Sequence, residues 1–373
     1  MPGPRFRAVE EEFMAATSAK AQPERACPTC FATTKFPGTV IEQNGRCNHC
    51  NSREFEAEIQ GQTTSDLAAL RAIGAEIKRE THGKYDCVIG ASGGLDSSFI
   101  IYIAKKLLEL NPLVVKYDHG FNHPIADRNL QTLCRTLGVD LRYVRSRRGH
   151  DLKFIRTIAR ALKDLDLYWG VCNFCPHAGG SVVLRAALDN KVSVILEAHN
   201  KFEKHNFLSG RVKLKLVLAR LARINPLKWP RIPLFLLLGY YHLLRFRMEL
   251  YVPPIANLFR SFPRSKKVRK VYVSTYVRWD IFGIAETLRR ETGWACPHPE
   301  MPMRFDCQIE DSIFDATFKQ ATGTTTHTII ANNLIYAGIK RKPELAAVVE
   351  HLDGTLAQKT ADMKRRLGVA PKR

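Results

Sequence analysis

The chain has 373 residues, 45% hydrophobic and 25% charged, which is enough apolar material for a packed core of one large or two smaller domains and excludes a disordered tail. Its formal net charge is +21, and between positions 201 and 270 there are 17 Lys and Arg against only Glu203 and Glu249. An excess of that size points to an anionic partner: nucleic acid, a nucleotide-linked substrate or an anionic membrane surface.

Residues 1–25 have mixed charge and read as a flexible lead-in, without the basic-then-apolar run of a secretory signal. Ten cysteines in such a chain fit a reducing compartment, so the expected location is cytoplasmic. Residues 26–52 form a cysteine-paired module. Cys27-x-x-Cys30 and Cys47-x-x-Cys50 are separated by 16 residues, the spacing of a four-thiolate Zn²⁺ site. Gly45 suits the tight turn of a zinc knuckle, and the strand–helix setting of a redox pair is missing. Leu67, Leu70, Ile73 and Ile77 then recur at helical spacing and predict a helix over 64–80.

From Tyr85 onward strands and helices alternate. Strands are expected at 85–91, 113–117, 140–144 and 192–197, and helices at 97–110, 127–137 and 181–188. This order implies a parallel sheet covered on both faces, in one α/β domain over 64–200. Residues 201–270 break the rhythm as a basic, apolar helical insertion. Three readings stand for it: helices packed on the core with a solvated basic face, an amphipathic helix peripheral on the inner face of a membrane, or a contact with RNA. The longest apolar stretch, 233–244, is shorter than the roughly 20 residues of a membrane-crossing helix. A helical C-terminal region is expected over 271–350 and a frayed basic tail over 351–373.

The run Ala91-Ser92-Gly93-Gly94-Leu95-Asp96-Ser97 follows a predicted strand and opens a predicted helix. Two glycines allow a tight turn close to phosphate oxygens, and the N–H groups at a helix start hold an anion. Ser92 and Ser97 add hydroxyl donors, and Asp96 is suited to hold Mg²⁺ against the phosphates of ATP. The Walker pattern is absent. The run resembles the SGGxDS loop of the PP-loop ATP pyrophosphatases, a parallel-sheet α/β fold of the adenine nucleotide alpha-hydrolase type. By that resemblance Asp118, at the end of the second strand, meets the adenosine, and Asn200 in Glu197-Ala198-His199-Asn200 helps to close the nucleotide site, although Ala198 stands where a glycine is usual.

Cys172-x-x-Cys175 precedes the strand at 192–197, and Cys296 or Cys307 is available to complete a three-thiolate set. In PP-loop sulfur-transfer enzymes a comparable pair with one distant cysteine holds a 4Fe–4S cluster, which implies Cys172, Cys175 and Cys307 here. A second zinc or unligated buried cysteines are the alternatives. Cys87 and Cys134 read as core residues.

The segments CPTCFATTKFPGTVIEQNGRCNHC, YDCVIGASGGLDSS and NPLVVKYDHGF, followed by NLQTLCRTLGVDL, resemble the N-acetyl sugar amidotransferase family of surface-polysaccharide biosynthesis. Weaker agreement comes from TGWACP, RFDC and NNLIYAGIKRKPEL. The resemblance implies ATP-dependent conversion of a nucleotide-linked acetamido sugar to an acetamidino sugar through an O-adenylated intermediate. It also implies a separate glutaminase with a barrel subunit that channels ammonia. The competing reading is a sulfurtransferase acting on a tRNA base or a small-molecule carbonyl.

Overall fold

The structure, a computed structural model, describes residues 24–36, 38–52, 56, 65–165, 168–172, 174–198, 202, 230–251 and 268–370. Residues 1–23 of the lead-in and most of the basic insertion lie outside the described residues. In chain order the elements are α1 (Leu67–Glu80), β1 (Cys87–Gly90), α2 (Leu95–Tyr102), β2 (Pro112–Tyr117), α3 (Pro124–Leu137), β3 (Asp140–Val144) and α4 (His150–Leu162). They continue with α5 (Phe174–Asp189), β4 (Val194–Glu197), α6 (Arg231–Tyr251), β5 (Arg269–Tyr272) and α7 (Ile281–Thr292). The chain then runs through α8 (Asp315–Thr322), α9 (Thr326–Tyr336) and α10 (Lys342–Leu367).

The five strands form one sheet in the order β3-β2-β1-β4-β5, every pairing parallel, as the alternation of elements predicts. Side chains on β1 alternate between the faces. Ile89 joins one apolar cluster with Leu130, Leu133 and Leu288, and Val88 joins another with Phe154, Ile155 and Val182. Val88 and Ile89 are fully buried, and burying a side chain of that size stabilises by roughly 1.5–3 kcal/mol. Strand order reverses between β1 and β4, so a crevice opens beyond their carboxyl ends, where α/β sheets bind ligands.

Two expectations are corrected. Residues 269–270, assigned to the insertion, belong to the sheet as the edge strand β5, which pairs with β4. Its cationic residues hid it. Arg269 pairs with Glu76 at 3.0 Å and Lys270 with Glu197 at 2.7 Å, and charged residues are common on edge strands. Residues 351–367 are a continuation of α10 and not a frayed tail, because Leu352, Leu356, Met363 and Leu367 are buried along one side of it.

The four-cysteine module docks on the C-terminal helices. The N–H of Phe31 donates to Asn332 Oδ1 at 2.8 Å, and Lys342 Nζ donates to the Cys27 carbonyl at 3.0 Å. Among the described residues no helix is long and apolar enough to cross a membrane.

Candidate functional site

Ser92, Gly93 and Gly94 make the turn between β1 and α2, with Gly94 as the cap residue of α2. Gly93 has φ +93°, and a Cβ there would stand 2.0 Å from the carbonyl oxygen of Ala126, so only glycine fits. The expected bare amides are engaged. The N–H groups of Ser92 and Gly93 donate to Ser97 Oγ, and that of Gly94 to Ser92 Oγ, each at 3.3 Å. These bonds are long for N–H···O, and an anionic oxygen is a stronger acceptor that would displace the hydroxyls.

The carbonyls of the turn are held from behind. Lys116 Nζ donates to the Ser92 carbonyl at 2.5 Å, and Trp294 Nε1 donates to the Gly93 carbonyl at 3.3 Å. In a planar trans peptide the C=O and the next N–H point in opposite directions. Fixing these two carbonyls therefore fixes where the amides of Gly93 and Gly94 point. Lys116 is 1% exposed and its charge is balanced by Asp127 at 2.8 Å. A single lysine in the apolar strand LVVKY was the sequence signal for it, whereas nothing local marked Trp294.

A cavity of about 940 Å³ opens in front of this turn. Its lining includes Ala91, Ser92, Asp96 and Ser97 together with Cys172, Cys175 and Cys307. Leu95 is buried at the start of α2 and packs into the core. Asp96 Oδ1 accepts a hydrogen bond from Trp279 Nε1 at 2.8 Å. A second carboxylate, missed in the sequence, is Asp306. It lines the same cavity, and its Oδ2 lies 3.5 Å from where a Cβ on Gly94 would be. Two carboxylates beside this turn are hard oxygen donors of the kind that Mg²⁺ takes, so the donor set fits that ion.

Asp118 is not in the lining of the cavity, although its neighbours Tyr117 and His119 and its partner Asn122 are. Its Oδ2 pairs with Arg145, and its Oδ1 accepts from the Gly120 N–H at 2.9 Å and Asn122 Nδ2 at 3.0 Å. Burial alone would raise its carboxyl, but the Arg145 and Gly120 hydrogen bonds outweigh it and hold the group below the usual carboxylate range. His119 lines the cavity, and burial with the nearby Lys116 charge pushes its imidazole down to about 4, so it is neutral at pH 7. His199 and Asn200 lie outside the described residues.

The cavity cysteines are partly buried, and Cys307, not Cys296, joins the Cys172–Cys175 pair there. Burial, followed by the Glu310 charge, raises all three thiols, with Cys175 pushed up to about 12. A bound cation reverses such a shift. The three are not among the described clusters whose ligand atoms all lie within 4.8 Å of one another. A single tetrahedral zinc holds its thiolates about 3.8 Å apart, whereas an iron–sulfur cubane binds each thiolate on a separate iron.

The N-terminal set is different. The sulfurs of Cys27, Cys30, Cys47 and Cys50 lie within 4.8 Å of one another, with Cys30–Cys47 at 3.6 Å and Cys27–Cys50 at 3.9 Å. These separations match a tetrahedral four-thiolate zinc. A further cluster was not anticipated: His327 lies 3.0 Å from Asp311 and 3.2 Å from Asp315. Asp311 also pairs with Lys359 at 2.7 Å, and Asp315 accepts the Thr326 N–H at 3.0 Å, so the cluster is tied into its own partners.

No family model and no curated protein matches the chain. Among solved structures it is similar to the U34-tRNA thiolase NcsA from Methanococcus maripaludis, solved with its 4Fe-4S cluster, at 12% sequence identity and a TM-score of 0.32. That likeness covers 84% of this chain and 88% of the thiolase chain, and at this identity and score it assigns no activity.

Proposed function

We propose that this chain splits ATP to AMP and pyrophosphate at the Ser92–Ser97 turn, adenylates a carbonyl oxygen and replaces that oxygen by sulfur. The observation that supports this reading is the convergence of the turn and Cys172, Cys175 and Cys307 on one cavity. The amides of Gly93 and Gly94 hold the diphosphate portion of ATP, with their carbonyls anchored by Lys116 and Trp294. Asp96 and Asp306 would hold Mg²⁺, and the Trp279 indole keeps Asp96 in one orientation. The substrate oxygen attacks the α-phosphorus and pyrophosphate leaves. Sulfide then adds at the activated carbon, and the C–O bond breaks with AMP as leaving group, so no electrons are exchanged with an outside donor. A 4Fe-4S cluster held by Cys172, Cys175 and Cys307 would supply an open iron for the incoming sulfur. Electrostatic stabilisation and positioning at the phosphate carry most of the acceleration in such a transfer. The acceptor under this reading is a tRNA base or a small-molecule carbonyl.

A second reading keeps the adenylation step and replaces sulfur by ammonia. It is favoured by the sequence segments that resemble the N-acetyl sugar amidotransferases, from Cys27 to Cys50 and from Tyr85 to Ser98. Its substrate is a nucleotide-linked acetamido sugar, and its ammonia comes from a separate glutaminase through a barrel-type channel subunit. Under either reading Zn²⁺ on Cys27, Cys30, Cys47 and Cys50 is structural.

Anaerobic purification followed by iron and sulfide analysis, then mass spectrometry of acceptors incubated with ATP and Mg²⁺, separates the two. Iron bound through the cavity cysteines and a product heavier by the sulfur–oxygen difference support the first reading. A product lighter by the difference between O and NH, formed with ammonia by iron-free protein, replaces it with the second. Absence of pyrophosphate release with every acceptor overturns both.

A further inference from the structure

Helix α6 is bound to the protein by one face only among the described residues. Gly239 approaches α4 so closely that a Cβ would stand 2.6 Å from Ile158 Cδ1. Phe246 is fully buried, and its ring centroid lies 5.7 Å from that of Tyr117. His242 Nδ1 lies 3.2 Å from His150 Nδ1. At about 100° per residue, Leu234, Leu237, Tyr241, Leu244 and Met248 fall on the side opposite Gly239. They are 63%, 69%, 49%, 44% and 48% exposed, respectively. Eight of the twelve exposed large apolar side chains among the described residues lie on this one helix, so the patch is concentrated and not scattered.

The sequence of α6 divides the charge in the same way. From Ile232 to Leu244 there is no Lys, Arg, Asp or Glu, while Arg231 precedes the run and Arg245 and Arg247 follow it. We propose that α6 docks this protein on an anionic membrane surface, its Leu234–Met248 face embedded below the headgroups. This is independent of the reaction proposed above. The uncharged run of α6 is about 20 Å long at 1.5 Å per residue, too short to span a bilayer, and it therefore lies in the plane of the interface. A net charge of +21 complements an anionic leaflet. The same charge opposes a second copy, because two molecules each carrying +21 repel one another. RNA is disfavoured because no Lys or Arg lies between Ile232 and Leu244 to neutralise a phosphate backbone, and most exposed side chains of the face are leucines.

The test is co-sedimentation of the full chain with vesicles of phosphatidylcholine alone or mixed with phosphatidylglycerol. The protein is expected to sediment with the anionic vesicles only, and less so as salt is added. The double substitution Leu237→Glu, Tyr241→Glu is expected to weaken binding at least about tenfold, while Ile339→Glu elsewhere on the surface leaves it unchanged. A conservative Tyr241→Trp keeps the face apolar, and its emission is expected to shift to the blue on anionic vesicles. Wild-type protein left in the supernatant at low salt overturns the proposal, as does unchanged binding of the double variant or an unshifted indole. So does a dimer by light scattering that the double variant dissolves without any vesicle binding, or retention on tRNA that it abolishes in the same way.

Discussion

In the N-terminal module the sulfurs of Cys30 and Cys47 lie 3.6 Å apart and both residues are fully buried, whereas Cys172, Cys175 and Cys307 line a cavity of about 940 Å³. Both sets contain a Cys-x-x-Cys pair, so spacing in the chain does not distinguish them. What distinguishes them is what completes each pair. A second pair closes the first set around one point, whereas the other is joined by a cysteine more than a hundred positions away, on the wall of a cavity. A closed thiolate site contributes folding energy, and an open one leaves room for chemistry.

Substitutions test that contrast, and the largest effect is expected at the closed site. Cys47→Ser removes a ligand whose metal-linked folding energy is of order 10 kcal/mol in small zinc modules. The expected result is loss of bound zinc with a lowered unfolding temperature, seen by metal analysis and calorimetry; a variant that melts like the wild type would remove zinc from the account. Cys307→Ser is expected to do the reverse. Thermal stability should change by less than about 1 kcal/mol and pyrophosphate release should persist, while thiolated product falls by about 10³-fold or more. Equal loss of both activities would make the two cysteine sets alike in being structural.

Smaller effects sharpen the open site further. Trp279→Phe removes the hydrogen bond to the Asp96 carboxylate, a contact to a charged group worth roughly 1.5–3 kcal/mol. Pyrophosphate release is expected to fall about tenfold to a hundredfold, with a raised Mg²⁺ requirement as the readout that separates orientation from folding. Arg145→Ala is expected to cost about 1 kcal/mol or less, because Arg145 is 69% exposed and the pair is screened. The folded protein holds the Asp118 carboxyl below its ordinary value, so this contribution is present at neutral pH and disappears as pH falls through that lowered pKa. Wild type and variant should therefore converge in stability in acid, as denaturant titrations at several pH values would show.

What could be read from the chain follows from how local each feature is. The strand–turn–helix around Ser92–Ser97 and the four-cysteine module are encoded within a few dozen residues, and both formed where the spacing predicted. Strand β5 was hidden because Arg269 and Lys270 resemble the basic run before them, and only their partners Glu76 and Glu197 reveal an edge. Lys116 is marked in the chain only as a lone cation in the apolar strand LVVKY, and its partner, the Ser92 carbonyl, lies 24 positions earlier. Trp279, Trp294 and Asp306 were illegible for a different reason: each acts on a turn roughly two hundred positions earlier, and no window along the sequence spans that distance.

The long reach of the two indoles has a consequence for biosynthesis. A ribosome that has released only the sheet-forming strands has made a turn whose Gly93 carbonyl and Asp96 carboxylate still lack Trp294 and Trp279. Under the proposed function, nucleotide capture would therefore wait for both indoles. A nascent chain tethered before position 279 is expected to bind ATP more weakly than one that already includes Trp279 and Trp294.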